Sequence, residues 1–265
     1  MQKLLLATVV SCVATWAAAQ TPQQIVQKFY PRYSSQFQCR IAEEKKQGTY
    51  CMKLMKTETR DTAQGRLMYL AFSGNLVDLA TGEESGSHAN TGLAGVFVLK
   101  ETAPNDWALL AAQPTATVGS SGYGPKEWSL HEFGPDKWGF LTEHGDVHQG
   151  YRGRHYVLFV HDGGKRVDES WLGGSWSNTG ALGDCSQEET AKARKACLNK
   201  LGEQEATLKI RRDMPTVQGY YPIDLTLSGF TGRKKYRNQH YTAVFNTAKK
   251  AYLAPKNYPL RDIDY

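Results

Sequence analysis

After residue 19 the chain has no apolar run approaching the roughly 20 residues that cross a membrane as a helix, so an integral membrane protein is not expected. It has no Gly-x-x-x-x-Gly-Lys-Ser/Thr loop and no Gly-x-Gly-x-x-Gly turn, which excludes the familiar phosphate and dinucleotide cradles. Neither Gly119-Ser120-Ser121-Gly122 nor Gly173-Gly174-Ser175-Trp176-Ser177 makes the Gly-x-Ser-x-Gly elbow of serine hydrolases. Carboxylates are scattered without a distinctive pair, although the two acids of a glycosidase come from distant positions that sequence alone does not match. Internal repeats and low-complexity tracts are also missing. With 40% hydrophobic and 11% aromatic residues, disorder is not the expected class. The absences lean away from an enzyme.

What is present begins with the leader. Lys3 precedes an apolar run, Leu4 to Val13, and Ala17-Ala18-Ala19 supplies the small residues a signal peptidase reads. Residues 1–19 therefore read as a cleaved secretory signal, cut after Ala19. Ser11 and Thr15 break the run, which argues against an anchor. Lipid attachment at Cys12 is disfavoured because it would leave an unusually short signal. The expected organisation is a signal over 1–19 and a single exported, β-rich domain over 20–265, periplasmic or secreted, of a bacterial envelope.

Cysteine is scarce, with five residues in 265, and four remain after the leader: Cys39, Cys51, Cys185 and Cys197. An even count in an exported chain points to two disulfides, which removes these thiols as nucleophiles. Cys39 and Cys51 flank Glu43 to Gly48, a turn that sets the two opposite each other in a hairpin. The second pair carries a conflict. Ser186 with Glu189 reads as a capping box and Ala191 to Leu201 are good helix formers. Yet twelve residues of continuous helix rise about 18 Å, against about 7 Å for bridged Cα atoms. The expected resolution is a short helix near 187–200 whose chain bends back, closing a Cys185–Cys197 loop.

Charge is uneven. Residues 186–265 hold 15 Lys and Arg against 8 Asp and Glu, while residues 20–185 hold 16 against 18. The excess sits in Lys209-Ile210-Arg211-Arg212 and in Arg233-Lys234-Lys235-Tyr236-Arg237. Nucleic acid is not an expected partner in that compartment. The ordinary reading of such a cluster is a strand edge or hairpin tip kept soluble by charge; the functional one is a polyanion contact through Arg233, Lys234 and Lys235.

Thr21-Pro22-Gln23-Gln24 gives a cap, a first-turn proline and a Gln at the third position, so a short N-terminal helix is expected, lying over a sheet edge. Strands then follow over 66–73, 95–100, 107–112, 127–133, 138–143, 155–161, 206–212, 223–228 and 241–245, separated by turn residues. Regular strand–helix alternation is absent. The expected fold is mainly β, an antiparallel β-sandwich or barrel-like arrangement, with 173–205 as a loop insertion.

Five of the seven histidines lie between 131 and 161. In a strand His144, Asp146 and His148 project to one side, a set able to hold zinc for a metal-assisted hydrolase. The alternative is a polar turn whose imidazoles bond water or backbone. Aromatics concentrate in the same region: Trp128 and Trp138 fall in strand-like segments and read as core. Trp171 and Trp176 flank Leu172-Gly173-Gly174-Ser175, which reads as a loop suited to stacking on sugar rings or anchoring a protein partner, with Tyr151 nearby. The function that emerges is an exported, disulfide-stabilised binding or inhibitor-type protein of the envelope, its partner an envelope protein or a cell-wall or glycan polymer. An envelope hydrolase using His144, Asp146 and His148 is one alternative; a structural subunit of an envelope assembly is another.

Overall fold

The computed structural model describes residues 19–45 and 47–263. The leader up to residue 18, including Cys12, lies outside the described residues. The protein is mainly β and built from two antiparallel sheets, neither of them a closed barrel.

The first sheet follows α1 (Pro22–Gln27) and comprises β1 (Arg32–Ser34), β2 (Cys39–Glu44), β3 (Gly48–Thr62), β4 (Gly65–Asp78), β5 (Glu83–Glu84), β6 (Leu93–Ala103) and β7 (Asp106–Thr117). Its order is β1-β2-β3-β4-β6-β7, with the two-residue β5 on β4. The second sheet is a meander of β8 (Ser129–Gly134), β9 (Lys137–His148), β10 (Tyr151–His161), β11 (Val167–Ser177), β12 (Gly202–Ile210), β13 (Ile223–Thr231), β14 (Lys234–Asn246) and β15 (Ala251–Leu253). Between β11 and β12 the chain leaves the sheet through α2 (Thr179–Leu182), a 3-10 turn at Cys185–Gln187 and α3 (Ala191–Lys200).

Period-two alternation explains how the sheets meet. Leu67, Tyr69 and Ala71 of β4, with Val96 and Val98 of β6, pack against Phe140 of β9 and Val157 and Phe159 of β10. Trp128, on the connector between the sheets, wedges into this core with its ring 5.7 Å from Phe140 and 5.8 Å from Phe159. Its indole N–H donates to Ser73 Oγ at 2.9 Å, which satisfies the one polar atom it buries. The alternate residues of β4, Leu70 and Phe72, face the other way and meet Ile25 and Val26 of α1. Because β4 is covered on both faces, it reads as one continuous apolar run rather than an alternating one. The capping box predicted for α1 is formed, Thr21 Oγ1 accepting from Gln24 N while Gln24 caps in return. The helix covers a sheet face, running beside β7, rather than an edge alone.

The second sheet coils around its own core, in which Leu158, Leu172, Ile223 and Leu225 meet Tyr258 and Leu260 of the C-terminal segment. β15 returns beside β11, where Tyr252 N–H donates to Ser170 Oγ at 2.9 Å. No backbone ladder joins those two strands among the described residues, so the barrel-like expectation gives way to an open, coiled sheet.

Both predicted disulfides are formed, each with Cα atoms 5.6 Å apart. The helix conflict resolves by a later start. Thr190, not Ser186, caps α3 by accepting from Ala193 N, and the chain is extended at Glu188, so Cys185 and Cys197 never share one helix. Two further expectations are corrected. Residues 173–177 are not loop: β11 is continuous through Ser177, and the excursion from the sheet is 178–201. Trp171 and Trp176 therefore both sit on a strand.

Candidate binding site

Cross-strand register assembles a polar surface that sequence spacing conceals. Partners in an antiparallel ladder project to the same face. One row runs Arg152–Ser177–Glu203–Phe230–Lys235, from β10 to β14. The next row, two residues along each strand, runs Arg154–Ser175–Glu205–Ser228. At about 4.8 Å between strands the longer row spans about 19 Å. A groove of about 430 Å³ lies along these rows, with Trp176 and Gln204 also lining it.

Local sequence sets this surface. In β12, Gly202, Gln204 and Ala206 are buried while Glu203, Glu205 and Thr207 are exposed, a strict alternation that aims both carboxylates outward. Trp176, between Ser175 and Ser177 on the strand, turns its ring to the other face and packs against the core of the second sheet. Gln204, also buried, anchors its amide on Thr231 Oγ1. The neck of the 178–201 excursion borders the groove and is clamped by Asn178, whose Oδ1 accepts from Gly202 N at 2.8 Å and whose Nδ2 donates to Lys200 O at 2.9 Å.

The charges nearly balance. Arg154 pairs with Glu143 and, at 3.4 Å, with Glu205, and its guanidinium lies 4.8 Å over the Tyr156 ring. Arg152 and Glu203, on either side of Ser177, make no ion pair among the described residues. The groove thus offers one cation and one carboxylate without ion-pair partners, serine hydroxyls and the Phe230 side chain. That combination suits a ligand with many hydroxyls and no strong charge, since donors and acceptors alternate within hydrogen-bonding reach of an aromatic stacking face.

The residues singled out from sequence distribute unevenly around this groove. Trp176 lines it and Lys235 extends its first row. Lys234 pairs with Thr231 and places Nζ 4.8 Å from the Tyr236 ring, and Arg233 lies in the β13–β14 turn, so the basic segment is a hairpin tip continued along an exposed strand. Tyr151 opens β10 opposite His148. Trp171 belongs to a separate cluster, its ring 5.0 Å from His144 and 5.7 Å from His155, with its N–H donating to Glu169 at 2.6 Å.

His144, Asp146 and His148 do alternate along β9, opposite His155, Gly153 and Tyr151. They do not gather: among the described residues no group of three or more His, Cys, Asp or Glu side chains is disposed to hold a metal ion. His144 Nδ1 accepts instead from Gly119 N at 3.2 Å, tying the inter-sheet connector to β9, and Asp146 accepts from Val147 N. Burial lowers the pKa of His144 and pushes His155 down to about 4, with neighbouring His144 acting in the same direction on His155. His144 and His155 pack against Trp171, where burial disfavours their charged forms.

Sequence reasoning missed Arg152, Ser175, Ser177, Glu203 and Glu205, which are ordinary surface residue types that acquire meaning only through register. No protein-family model matches the chain, and no curated protein or solved structure was found to be similar to it.

Proposed function

We propose that the protein is an exported, disulfide-stabilised binding protein of the bacterial envelope that holds a short stretch of an uncharged glycan in the groove between β10 and β13. The observation that carries this reading is the pair of cross-strand rows, which put Arg152, Glu203, three serines and Phe230 on one face of the sheet. Charge balance favours an uncharged sugar over a polyanion, and the open sheet face favours an extended polymer over a small enclosed ligand. Two disulfides fit an oxidising compartment.

Calorimetric titration with a panel of short uncharged oligosaccharides tests the reading. Arg152→Ala and Glu203→Gln are each expected to weaken binding by about tenfold or more, the effect of losing hydrogen bonds to a charged group. Their melting temperatures should stay unchanged, since neither side chain has an ion-pair partner to lose. Retention of a protein partner only, with no affinity for any uncharged oligosaccharide, would reject the glycan and return the groove to protein recognition.

A further inference from the structure

A second surface lies along the edge of the second sheet. β8 pairs with β9 only as far as Leu141, so residues 142–148 have β10 on one side and no strand on the other. That open edge is about 24 Å long. The connector of residues 118–128 runs beside it and is held by the side chains of Thr142 and His144. Among the described residues no backbone hydrogen bond joins the connector to the edge. A groove of about 360 Å³ lies there, with Glu143 and Gly145 on the strand side and Tyr123 and Pro125 on the connector side.

The hairpin turn fixes which backbone groups face outward. Gln149-Gly150 is a two-residue loop, so the pair that flanks it, His148–Tyr151, is a hydrogen-bonded one, and bonded and unbonded pairs alternate from there. Glu143, Gly145 and Val147 therefore turn their N–H and C=O groups away from β10. Val147 agrees, its N–H donating to Asp146 Oδ1 at 2.7 Å rather than across the ladder. Folded proteins guard such edges with Lys, Pro or a bulge. The unpaired half of β3 carries Lys53, Lys56 and Arg60 and bulges between Leu54 and Lys56. Over 142–148, β9 has no Lys, Arg or Pro and keeps an unbroken register with β10, and Val147 stands 49% exposed.

The sequence of this edge complements itself. A two-fold axis at Gly145 sets Glu143 of one copy opposite Val147 of the other, and His144 opposite Asp146 in both halves. An axis at His144 or Asp146 would instead set two imidazoles or two carboxylates against each other. His144 Nδ1 accepts from Gly119 N, so its Nε2 carries the hydrogen, a donor for the carboxylate of Asp146 in the second copy. We infer that the protein self-associates through this edge, β9 of one copy antiparallel to β9 of the other. The outward groups of Glu143, Gly145 and Val147 then bond across the axis. The interface uses no residue that lines the glycan groove, and it stands or falls separately.

Sedimentation equilibrium of the oxidised protein from about 10 μM to about 1 mM, the range of a modest interface, tests the inference. A monomer–dimer equilibrium is expected. Val147→Pro removes an outward N–H and leaves the ladder to β10 intact, so it should abolish the dimer. Asp146→Lys should weaken association by at least about tenfold. Cysteine cross-linking reads the register. Gly145→Cys should link two copies on oxidation, because bonded partners hold their Cα atoms about 5.5 Å apart, within disulfide reach. A Cβ fits at Gly145, where the nearest atom is Gly153 O at 3.4 Å. Val147→Cys should not link, its Cα atoms being about 14 Å apart in that register. The melting temperature of each variant, measured at monomeric concentration, should hold. A monomer throughout the range would overturn the inference and leave the edge to a strand of another protein. So would a dimer that survives Val147→Pro, or cross-linking of Val147→Cys as readily as Gly145→Cys.

Discussion

Histidine protonation offers the most direct reading at the scale of single residues. His131, His144, His155 and His161 are all held below their ordinary value by burial, His155 down to about 4. An unfolded chain titrates these groups near pH 6.5. Below that pH the unfolded state takes up protons that the folded state refuses, so stability present at neutral pH is lost progressively as pH falls toward about 4. The melting temperature is expected to be flat above about pH 7 and to fall steadily on acidification. Replacing His144 and His155 together with Asn should flatten that fall, whatever its effect at neutral pH. An acid profile unchanged by the double substitution would show that the carboxylates, not these imidazoles, set it. Residue type alone had led to His144 and Trp171 as candidates for metal and ligand. Their rings lie 5.0 Å apart, a contact that partly shields His144 and leaves Trp171 exposed.

Among elements, the β9–β10 hairpin makes the clearest prediction. Its turn, Gln149-Gly150, has φ of +48° and +83°, the double left-handed geometry that matches strand twist. A Cβ at Gly150 would also collide with the backbone of Gly180 and Ala181 in α2. Gly150→Ala should therefore destabilise by about 2 kcal/mol in denaturant unfolding, combining backbone strain with a displaced α2. Gln149→Gly relieves the same geometry and should change stability by no more than about 0.5 kcal/mol, or raise it slightly. The strands easiest to read from sequence were those with one dominant physical pressure. β10 has polar ends and an apolar centre; β4 is apolar throughout because both its faces are covered. β11 was obscured by Gly173-Gly174, which looked like a loop. Gly173 is there because the C-terminal segment crosses it so closely that a Cβ would strike Leu260 O. The second half of β3 was obscured by charge, which on an unpaired edge marks protection rather than a turn. α3 began four residues later than the capping box at Ser186 suggested, because Thr190 offered a cap compatible with the disulfide.

Across the whole molecule, sheet composition and disulfide pairing were legible, while the candidate groove was not. Fold class follows from strand spacing and composition, which are local. The candidate groove depends on residues as far apart as Arg152 and Phe230 and is a product of register. The same contrast bears on how the chain matures. Each disulfide joins neighbouring cysteines in the chain, twelve residues apart, and each is enclosed within one sheet's share of the sequence. A polypeptide emerging from its N-terminus presents Cys39 and Cys51 together, well before Cys185 arrives. Oxidation in order of emergence then yields the correct bonds without a wrong partner at hand, so proofreading of disulfides is dispensable. Refolding of the reduced protein with an oxidant alone should recover both bonds in high yield without isomerase, and accumulation of Cys51–Cys185 species on mass mapping would contradict it. A scaffold with this order of cysteines needs an oxidant to mature and no shuffling of bonds.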